Sequence, residues 1–407
     1  MTHRLQGSFL MVLFASLIAV PKSGFVLGGI PINSLYIVIA VSLPFLLLSY
    51  FTQKDQLHRY SPANIYIVLL LPFFAVFLLV TLSNGIDNPA VYVGYVVALI
   101  VSPLYFFILF QTIGSDQVAR SLPFVKLCIR FAGGYGLALF FYHLVSGSYF
   151  EIPGITTTFG ATKTLDQRMN DRGQLFKLTS TYNNGNIYAV CALMLLPLYR
   201  VLEKNKLWFF VVLASIVLTL SRLAWALLLL YFVFEYFLFS GRLALRKLLA
   251  MFFLGASVIP LILFLLHVME RDVSFLFDPN LGGRASYLQT FFDASFISGT
   301  SLYWSYEIPY VSIAEFVGFV GIPLFLLYFI AIPLRVKSFF DDSSPIVRAA
   351  TMGCLIYFFA TLIDGALILV PVFSIFSFLV MLSLSGIGNG YFARGRNDQG
   401  WCGHLSQ

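Results

Sequence analysis

Charged residues are scarce in this sequence. Only 11% of the 407 residues are Asp, Glu, Lys or Arg, whereas 59% are hydrophobic, and the mean hydropathy is +0.88. Soluble domains carry about 25% charged residues, so this composition excludes an ordinary soluble protein. Inside a bilayer each helix satisfies its own backbone hydrogen bonds. The composition therefore predicts an all-α integral membrane protein.

Cysteine and histidine are also few. The four cysteines show no Cys-x-x-Cys spacing and the five histidines show no ligand spacing, so we expect no disulfide, no metal site and no cofactor. The net charge of +7 is scattered over short loops, which argues against a nucleic-acid-binding face. The first apolar stretch lacks a small-residue cleavage site after it, and we expect it to be kept as a span.

What the sequence does contain is a series of apolar runs near the length of about 20 residues that crosses a bilayer. Most of the Lys and Arg residues, 17 of 25, fall in segments that a twelve-helix topology with cytoplasmic termini assigns to the cytoplasm, as the positive-inside rule requires. We expect a single polytopic domain over 1–407 with a cytoplasmic tail at 390–407. The predicted spans are 8–28, 33–51, 63–83, 90–110, 128–146, 185–200, 207–220, 223–239, 248–267, 309–330, 348–368 and 371–389.

The apolar run 207–239 is predicted to be a hairpin of two short helices, since basic residues flank it on both sides. Its first arm rises only about 21 Å at 1.5 Å per residue, so Arg222 at the bend would lie below the outer surface. An arginine at membrane depth is usually partnered or functional. The alternative is a side chain that snorkels and anchors a helix end. The flanking residues are Arg200, Lys204, Lys206, Arg242, Arg246 and Lys247.

Two outer loops are long enough to form a site, 147–184 and 268–308. They contain six of the eight basic residues that the topology leaves outside the cytoplasm, and Arg222 is a seventh. Basic residues that oppose the positive-inside bias indicate an anionic ligand at the outer face. The alternative is ordinary loop charge balanced by nearby acids, which is our interpretation of Lys163 and Lys177 taken singly.

Arg222 and Arg284 are the strongest candidate pair. A guanidinium is permanently charged and can hold phosphate oxygens in bidentate fashion, so two of them could bind a pyrophosphate and stabilise it as it leaves. Gly282 and Gly283 allow a sharp turn or a close approach of the backbone to a ligand. The alternative is a loop arginine that merely follows a Gly-Gly turn.

Carboxylates near the outer end are candidate general bases, with Glu307 ahead of the others. Most acids in such loops are solvated or paired with arginines, which is the alternative for Glu307 as well. Asp364 falls in the eleventh predicted span, where an ionisable residue is expected to have a partner. We expect it to pair with one of the arginines or to join two helices by a hydrogen bond.

Amides and aromatic rings could contact sugars. Asn183, Asn184 and Asn186 open the sixth span, where they could cap the helix or bind hydroxyl groups. Tyr306 and Tyr310 could stack on sugar rings, or could belong to an ordinary interfacial belt of aromatic residues.

Four stretches, taken in order, give the chain a family resemblance. They are Thr181–Asn186 (TYNNGN), Leu218–Arg222 (LTLSR), Gly283-Arg284 with Gly299 after it, and Ala314–Gly321 (AEFVGFVG). Over about 180–325 the chain resembles the O-antigen ligase and polymerase superfamily, bacterial enzymes with a fold similar to the GT-C membrane glycosyltransferases. Ligases of this family carry a histidine near the position of Tyr306 and Glu307, and its absence favours the polymerase branch.

The resemblance implies a metal-independent glycosyltransferase of the bacterial inner membrane with its active site on the periplasmic side. It would move a growing glycan from undecaprenyl pyrophosphate to a new lipid-linked repeat unit, with Arg222, Arg284 and Glu307 as catalytic residues. Membrane lipid and a chain-length regulator protein are further partners that the branch allows. The alternatives are a ligase that transfers glycan to lipid A core and, in a different class, a transporter of the lipid-linked oligosaccharide. Expected substrate-binding residues are Arg168, Arg172, Tyr182, Asn183, Asn186, Arg271, Tyr306 and Tyr310.

Overall fold

The computed structural model describes residues 3–28, 30–52, 61–160, 165, 171–172, 175–239, 263–269, 284–297, 299–336, 344–369 and 371–385. These residues are mostly helical, as the composition predicts. Five helical stretches are long and apolar enough to cross a membrane: Ser34–Thr52, Pro62–Asn84, Pro89–Ile113, Ser115–Ser146 and Gly185–Leu202. The expected helical fold is therefore confirmed, and the candidate spans are consistent with a membrane protein.

The helices are numbered here in chain order. They are α1 (His3–Phe14), α2 (Ser34–Thr52), α3 (Pro62–Asn84), α4 (Pro89–Tyr95), α5 (Ser102–Ile113), α6 (Ser115–Ser146), α7 (Gly185–Leu202), α8 (Lys206–Val217), α9 (Arg222–Phe239), α10 (Ala285–Phe292), α11 (Pro309–Val317), α12 (Gly321–Leu326), α13 (Ala331–Leu334), α14 (Pro345–Thr361) and α15 (Val372–Leu384). Turns of π-helix extend α1 over Ala15–Ala19 and join α4 to α5 over Val96–Val101. Single turns of 3-10 helix lie at Ser180–Tyr182 and Leu327–Phe329. Two short antiparallel strand pairs are also present, β1 (Gly24–Leu27) with β2 (Ile30–Asn33) and β3 (Asp171–Arg172) with β4 (Leu175–Phe176).

Short polar side chains begin several of these helices. Ser61, Asn88, Asn184, Asn205 and Ser344 each accept a hydrogen bond from a backbone N–H in the first turn of the helix that follows. These caps satisfy amides that have no partner within the helix. Of the two interpretations of the asparagine run, Asn184 is therefore the helix cap.

The first predicted span, 8–28, is too long. Helical structure ends at Ala19 and the chain then forms the β1–β2 hairpin. Pro21 has no backbone N–H to continue a helix, and Gly24 has a φ of +140°. A Cβ on Gly24 would lie 2.1 Å from the carbonyl oxygen of Ile32, so the two strands approach too closely for any larger residue.

The predicted hairpin over 207–239 is confirmed, because α8 runs antiparallel to α7 and α9 runs antiparallel to α8. At one end, the Arg200 guanidinium lies 2.6 Å from the Glu235 carboxylate, which joins the end of α7 to the last turns of α9. At the other end, the backbone N–H of Leu178, just before α7, donates to the carbonyl of Leu218. The break between α8 and α9 lies at Leu220, which has a φ of 51°.

Helix α14 lies antiparallel to α7. A Cβ on Gly353 would lie 2.3 Å from the carbonyl oxygen of Met194, which shows how closely the two helices cross. The eleventh predicted span, 348–368, is wrong at its end, since α14 stops at Thr361. Asp364 therefore lies in the non-helical connection after α14, at the end of the molecule where α7 begins.

The predicted span 309–330 is broken in two. Helix α11 ends at Gly318, which has a φ of +88°, and a Cβ there would lie 2.8 Å from the carbonyl oxygen of Phe296. A longer apolar helical stretch follows over Gly321–Leu334. The AEFVG sequence thus ends a short helix at Gly318, because the positive φ there favours glycine, and the next apolar helical stretch begins at Gly321.

The remaining predicted segments are described in part. Of the span 248–267, residues 263–267 are described and are helical; the rest of it and the tail 390–407 lie outside the described residues. The part of the predicted loop 268–308 around Gly299 packs on the end of α3, where the amide nitrogen of Asn84 donates to the carbonyl of Gly299 over 2.7 Å. The N–H of Gly299 in turn donates to the carbonyl of Phe316, which ties this loop to α11.

Candidate functional site

Arg284 lies at the start of α10, and its guanidinium contacts two carboxylates. One of its terminal nitrogens is 2.9 Å from Asp364 Oδ2 and also contacts Glu307 Oε2. The side chains of Arg284 and Asp364 are 14% and 7% exposed, whereas Glu307 is 54% exposed. The expectation that Asp364 pairs with one of the arginines is confirmed.

The contacts continue from Asp364 into the start of α7. The side-chain amide of Asn186 donates to Asp364 Oδ2 over 3.3 Å, and Lys177 Nζ donates to the amide oxygen of Asn186 over 3.3 Å. Burial raises the pKa of Asp364 to about 6, and the Arg284 charge acts in the opposite direction. We call these five residues, Lys177, Asn186, Arg284, Glu307 and Asp364, the outer-end network.

Two glycines allow the segments of this network to approach one another. A Cβ on Gly185 would lie 2.8 Å from the carbonyl oxygen of Leu178, and one on Gly365 would lie 2.4 Å from the ring of Pro309. The N–H of Gly365 donates to the carbonyl of Glu307 over 3.0 Å. This backbone bond holds the Glu307 and Asp364 segments together, so both carboxylates reach the same guanidinium.

Arg222 lies at the same end of the bundle. It is the first residue of α9, directly after the bend whose Leu218 carbonyl binds the Leu178 N–H. The carbonyl of Thr219 faces Gly185 at the start of α7. The side chain of Arg222 is half-buried. The structure thus brings the segments of Arg222 and Arg284 to one end of the molecule.

Tyr182 and Asn183 support the fold. Tyr182 is buried and its hydroxyl donates to the carbonyl of Ile18 over 3.0 Å. Asn183 is buried too, with a φ of 58°, a conformation in which asparagine is enriched. Both side chains are too deeply buried to contact a sugar, so the structure does not support their predicted role in substrate binding.

The other predicted substrate-binding residues differ in what the structure describes. Tyr306 is half-buried, packs edge-on against Tyr287 and donates its hydroxyl to Glu315 over 3.2 Å. Tyr310 is half-buried with its hydroxyl 3.1 Å from that of Thr361. Arg168 and Arg271 lie outside the described residues, and Arg172 is described only in its backbone, as part of β3.

Lys177 is the residue that the sequence analysis missed. We interpreted it as ordinary loop charge, yet it is only 9% exposed and belongs to the outer-end network. Its one available signal was its position just before the asparagine run. Its ammonium meets Asn186 because the chain folds back at residues 178–185, which no local pattern reveals.

The network can exchange one partner without losing the others. The exposed Glu307 can leave Arg284 when a stronger anion arrives, while the buried Asp364 keeps the guanidinium in place. Phosphate oxygens can accept hydrogen bonds from the guanidinium N–H groups that Glu307 leaves, because a guanidinium binds phosphate in bidentate fashion.

Within the described residues no group of three or more His, Cys, Asp or Glu side chains is placed to hold a metal ion. Comparison with protein-family models, curated proteins and solved structures finds no match for this chain.

Proposed function

We propose that this protein is a metal-independent glycosyltransferase that transfers a growing glycan from undecaprenyl pyrophosphate to a new lipid-linked repeat unit, an O-antigen polymerase. The observation that carries the proposal is the convergence of Arg284, Asp364 and Glu307 with the start of α7 and the α8–α9 bend at Arg222. Four separate parts of an apolar chain would have little reason to meet around a buried arginine for packing alone.

The pyrophosphate of the donor would displace Glu307 from Arg284. Arg284 and Arg222 would then bind the diphosphate oxygens and stabilise the charge that develops as the bond between the sugar and the pyrophosphate breaks. The acceptor hydroxyl forms the new glycosidic bond, and Glu307, now free of Arg284, takes its proton as general base. Electrons and protons balance with no other reactant.

Asp364 is a positioning residue in this scheme. It contacts Arg284 over 2.9 Å and is only 7% exposed, so it can hold the guanidinium while the donor binds and leaves. Asn186 and Lys177 keep that carboxylate in place through the two hydrogen bonds of the network. Breaking a buried ion pair by removing one partner is strongly unfavourable, which makes this arrangement persistent.

The network would face the periplasm in a twelve-span, GT-C-like topology of the inner membrane with both termini in the cytoplasm. The support comes from α7, which begins at the network and carries Arg200 in its last turn, with Lys204 and Lys206 shortly after the helix ends at Leu202. Basic residues concentrate on the cytoplasmic side of membrane proteins. The network lies at the opposite end of that helix, where a lipid-linked glycan would be available after export.

Deletion of the gene tests the proposal. We expect gels of surface lipopolysaccharide to show core carrying a single repeat, with long chains restored by the wild-type gene and not by Arg284→Ala. Bare core would instead identify a ligase. An unchanged ladder would contradict both activities.

The purified protein provides the second test. We expect it to lengthen lipid-linked oligosaccharide in detergent in the presence of a metal chelator. Lengthening without a membrane to cross excludes a transporter as the explanation. Direct catalysis would be refuted if the gene restores long chains in the deletion strain but the folded, purified protein does not lengthen the substrate.

A further inference from the structure

A separate cavity of about 220 Å³ lies where the β1–β2 hairpin, α2, α4 and the connection after α14 meet. Its polar lining is contributed by Lys22, Asn33, Tyr36 and Asn88, and the rest is mainly apolar. Ile368 and Leu369, four and five residues after Asp364, form part of its wall. The connection after α14 therefore contributes Asp364 to the outer-end network and Ile368 and Leu369 to the wall of this cavity.

Asn33 is the distinctive residue of the cavity. It is only 4% exposed, and in the part of the chain that the structure describes its side-chain oxygen accepts no hydrogen bond. Burying an amide oxygen without a donor is unfavourable, because the oxygen loses its hydrogen bonds to water. Native proteins rarely keep such a group without a reason. The oxygen itself has almost no accessible surface, so a ligand in the cavity can donate to it only after the Asn33 side chain rotates towards the cavity that it lines.

The backbone holds the polar lining in fixed positions. Asn33 pairs with Gly24 in the β1–β2 hairpin, and the N–H of Ser34 donates to the carbonyl of Ser23 over 2.7 Å. The carbonyl of Lys22 accepts a hydrogen bond from Thr158 over 3.1 Å. A preformed site of this kind loses less free energy to ordering when a ligand binds.

We infer that this cavity binds one sugar ring of the acceptor saccharide, an inference that rests on the proposed glycosyl transfer. A sugar hydroxyl can donate to the rotated Asn33 amide oxygen, whereas the fully ionised oxygens of a diphosphate diester cannot, because they carry no hydrogen at neutral pH. The Tyr36 hydroxyl both donates and accepts, and apolar walls suit the C–H faces of a sugar. Pockets for drug-sized ligands have volumes of about 300–1,000 Å³, so this smaller cavity fits a single ring.

The position of the cavity relative to Asp364 gives the inference a mechanistic meaning. An acceptor sugar held against Ile368 and Leu369 would stand one short segment away from the carboxylate that holds Arg284. Donor and acceptor would then be bound by two ends of the same connection. Such positioning converts an encounter between two substrates into a reaction within one complex.

A cavity-filling variant tests the site directly. Ala90 lines the cavity, and Ala90→Phe should occupy it, whereas Leu82→Phe adds the same ring at a position that is 83% exposed. The probes are methyl glycosides of a hexose, an N-acetylhexosamine and a hexuronic acid, added to the protein in nanodiscs. We expect saturation-transfer NMR signals from at least one probe with wild type and Leu82→Phe, and their loss in Ala90→Phe. No signal with wild type, or an unchanged signal in Ala90→Phe, would overturn the inference.

Asn33→Ala separates a binding role from a structural one. Because the variant removes an amide oxygen that lacks a donor, its thermal midpoint should equal or exceed that of wild type, while affinity for the bound glycoside falls about three- to tenfold. A lower midpoint with unchanged affinity would assign Asn33 to the fold and contradict the inference.

The lengthening assay keeps this inference distinct from the proposed function. Ala90→Phe should raise the acceptor concentration needed for half-maximal rate with little change in the donor requirement. If wild type lengthens its substrate and Ala90→Phe behaves identically, the acceptor site is wrong and the transferase stands. If glycosides bind as expected but wild type lengthens nothing, the sugar site stands and the proposed transfer is wrong.

Discussion

Arg284 is the residue on which the proposed chemistry depends most. Arg284→Ala should lower the lengthening rate about 100-fold or more, since a preorganised donor to developing charge contributes that much. Arg284→Lys should restore little, because an ammonium is a point charge that cannot fork onto two oxygens. Rates are compared at equal amounts of inserted protein. A near-normal rate in the alanine variant would remove Arg284 from the mechanism.

Asp364 should give the reaction a pH dependence. Burial raises its pKa to about 6, so the carboxylate is largely ionised at pH 7 and becomes neutral as the pH falls through 6. The neutral form holds Arg284 less firmly, and we expect the wild-type rate to decline over that interval. Asp364→Asn should be slower at pH 7 and should lack the decline near pH 6. A variant that keeps the wild-type profile would assign that decline to another group.

At the scale of helices, a buried ion pair joins α6 to the end of α7. Glu203, which is 1% exposed, accepts from Arg130 over 2.6 Å, and this bond lowers the Glu203 pKa to about 2. Glu203→Gln should cost about 3 kcal/mol at pH 7, because it leaves the arginine without its charge partner. The matched control is Glu235→Gln, whose partner Arg200 is 50% exposed, with an expected cost of about 0–1 kcal/mol.

The sign of the pH effect follows from the lowered pKa. The stabilising contribution of Glu203 is complete above its ordinary pKa of 4.5 and is lost as the pH falls towards 2. The difference in thermal midpoint between wild type and Glu203→Gln should therefore shrink over that range. A constant difference between pH 7 and pH 3 would contradict this account.

Gly299 shows how a loop is fitted to a helix. A Cβ there would lie 1.6 Å from the carbonyl oxygen of Glu315, so Gly299→Ala must displace the backbone around Gly299 from α11. We expect a lower thermal midpoint, with a cost of about 2–3 kcal/mol at the upper end of overpacking effects. Gly7→Ala is the control, because its Cβ would only touch Gln117 at 3.9 Å. Equal thermal midpoints for the two variants would contradict this prediction and would mean that the backbone around Gly299 moves with little loss of stability.

At the scale of the whole molecule, the proposed topology assigns opposite ends of the bundle to opposite sides of the membrane. Tyr303, which is 65% exposed in the loop 268–308, should react as cysteine with a membrane-impermeant maleimide added to cells whose outer membrane is permeabilised. Lys204, at the other end of α7, should react as cysteine only after the inner membrane is opened. The reverse pattern would place the network in the cytoplasm and exclude the proposed donor site. Replacing the native cysteines first, including Cys402, removes background labelling.

Composition and the distribution of basic residues predicted the helical character of the chain and the hairpin over 207–239, and helix capping was one of the two predicted roles of the asparagine run. These features are local: apolar runs of sufficient length, basic flanks and short polar side chains before helices act through neighbouring residues. Local pattern was less reliable at segment ends. It carried the first span past Pro21 and Gly24, and it ran α11 and α12 together across Gly318, since apolar residues continue where the backbone turns.

Only the tertiary structure decided which polar groups meet. Arg284 pairs with Asp364, and Lys177 contacts Asn186, only because the packing of the helices brings these residues together. The same packing leaves the side-chain oxygen of Asn33 buried without a hydrogen-bond donor among the described residues. Electrostatic and hydrogen-bonding contacts act over a few ångströms in space, and sequence separation carries no information about that distance. The sequence alone determined that this chain is a helical membrane protein, because hydrophobic length is written residue by residue. Its candidate site was decided by the fold.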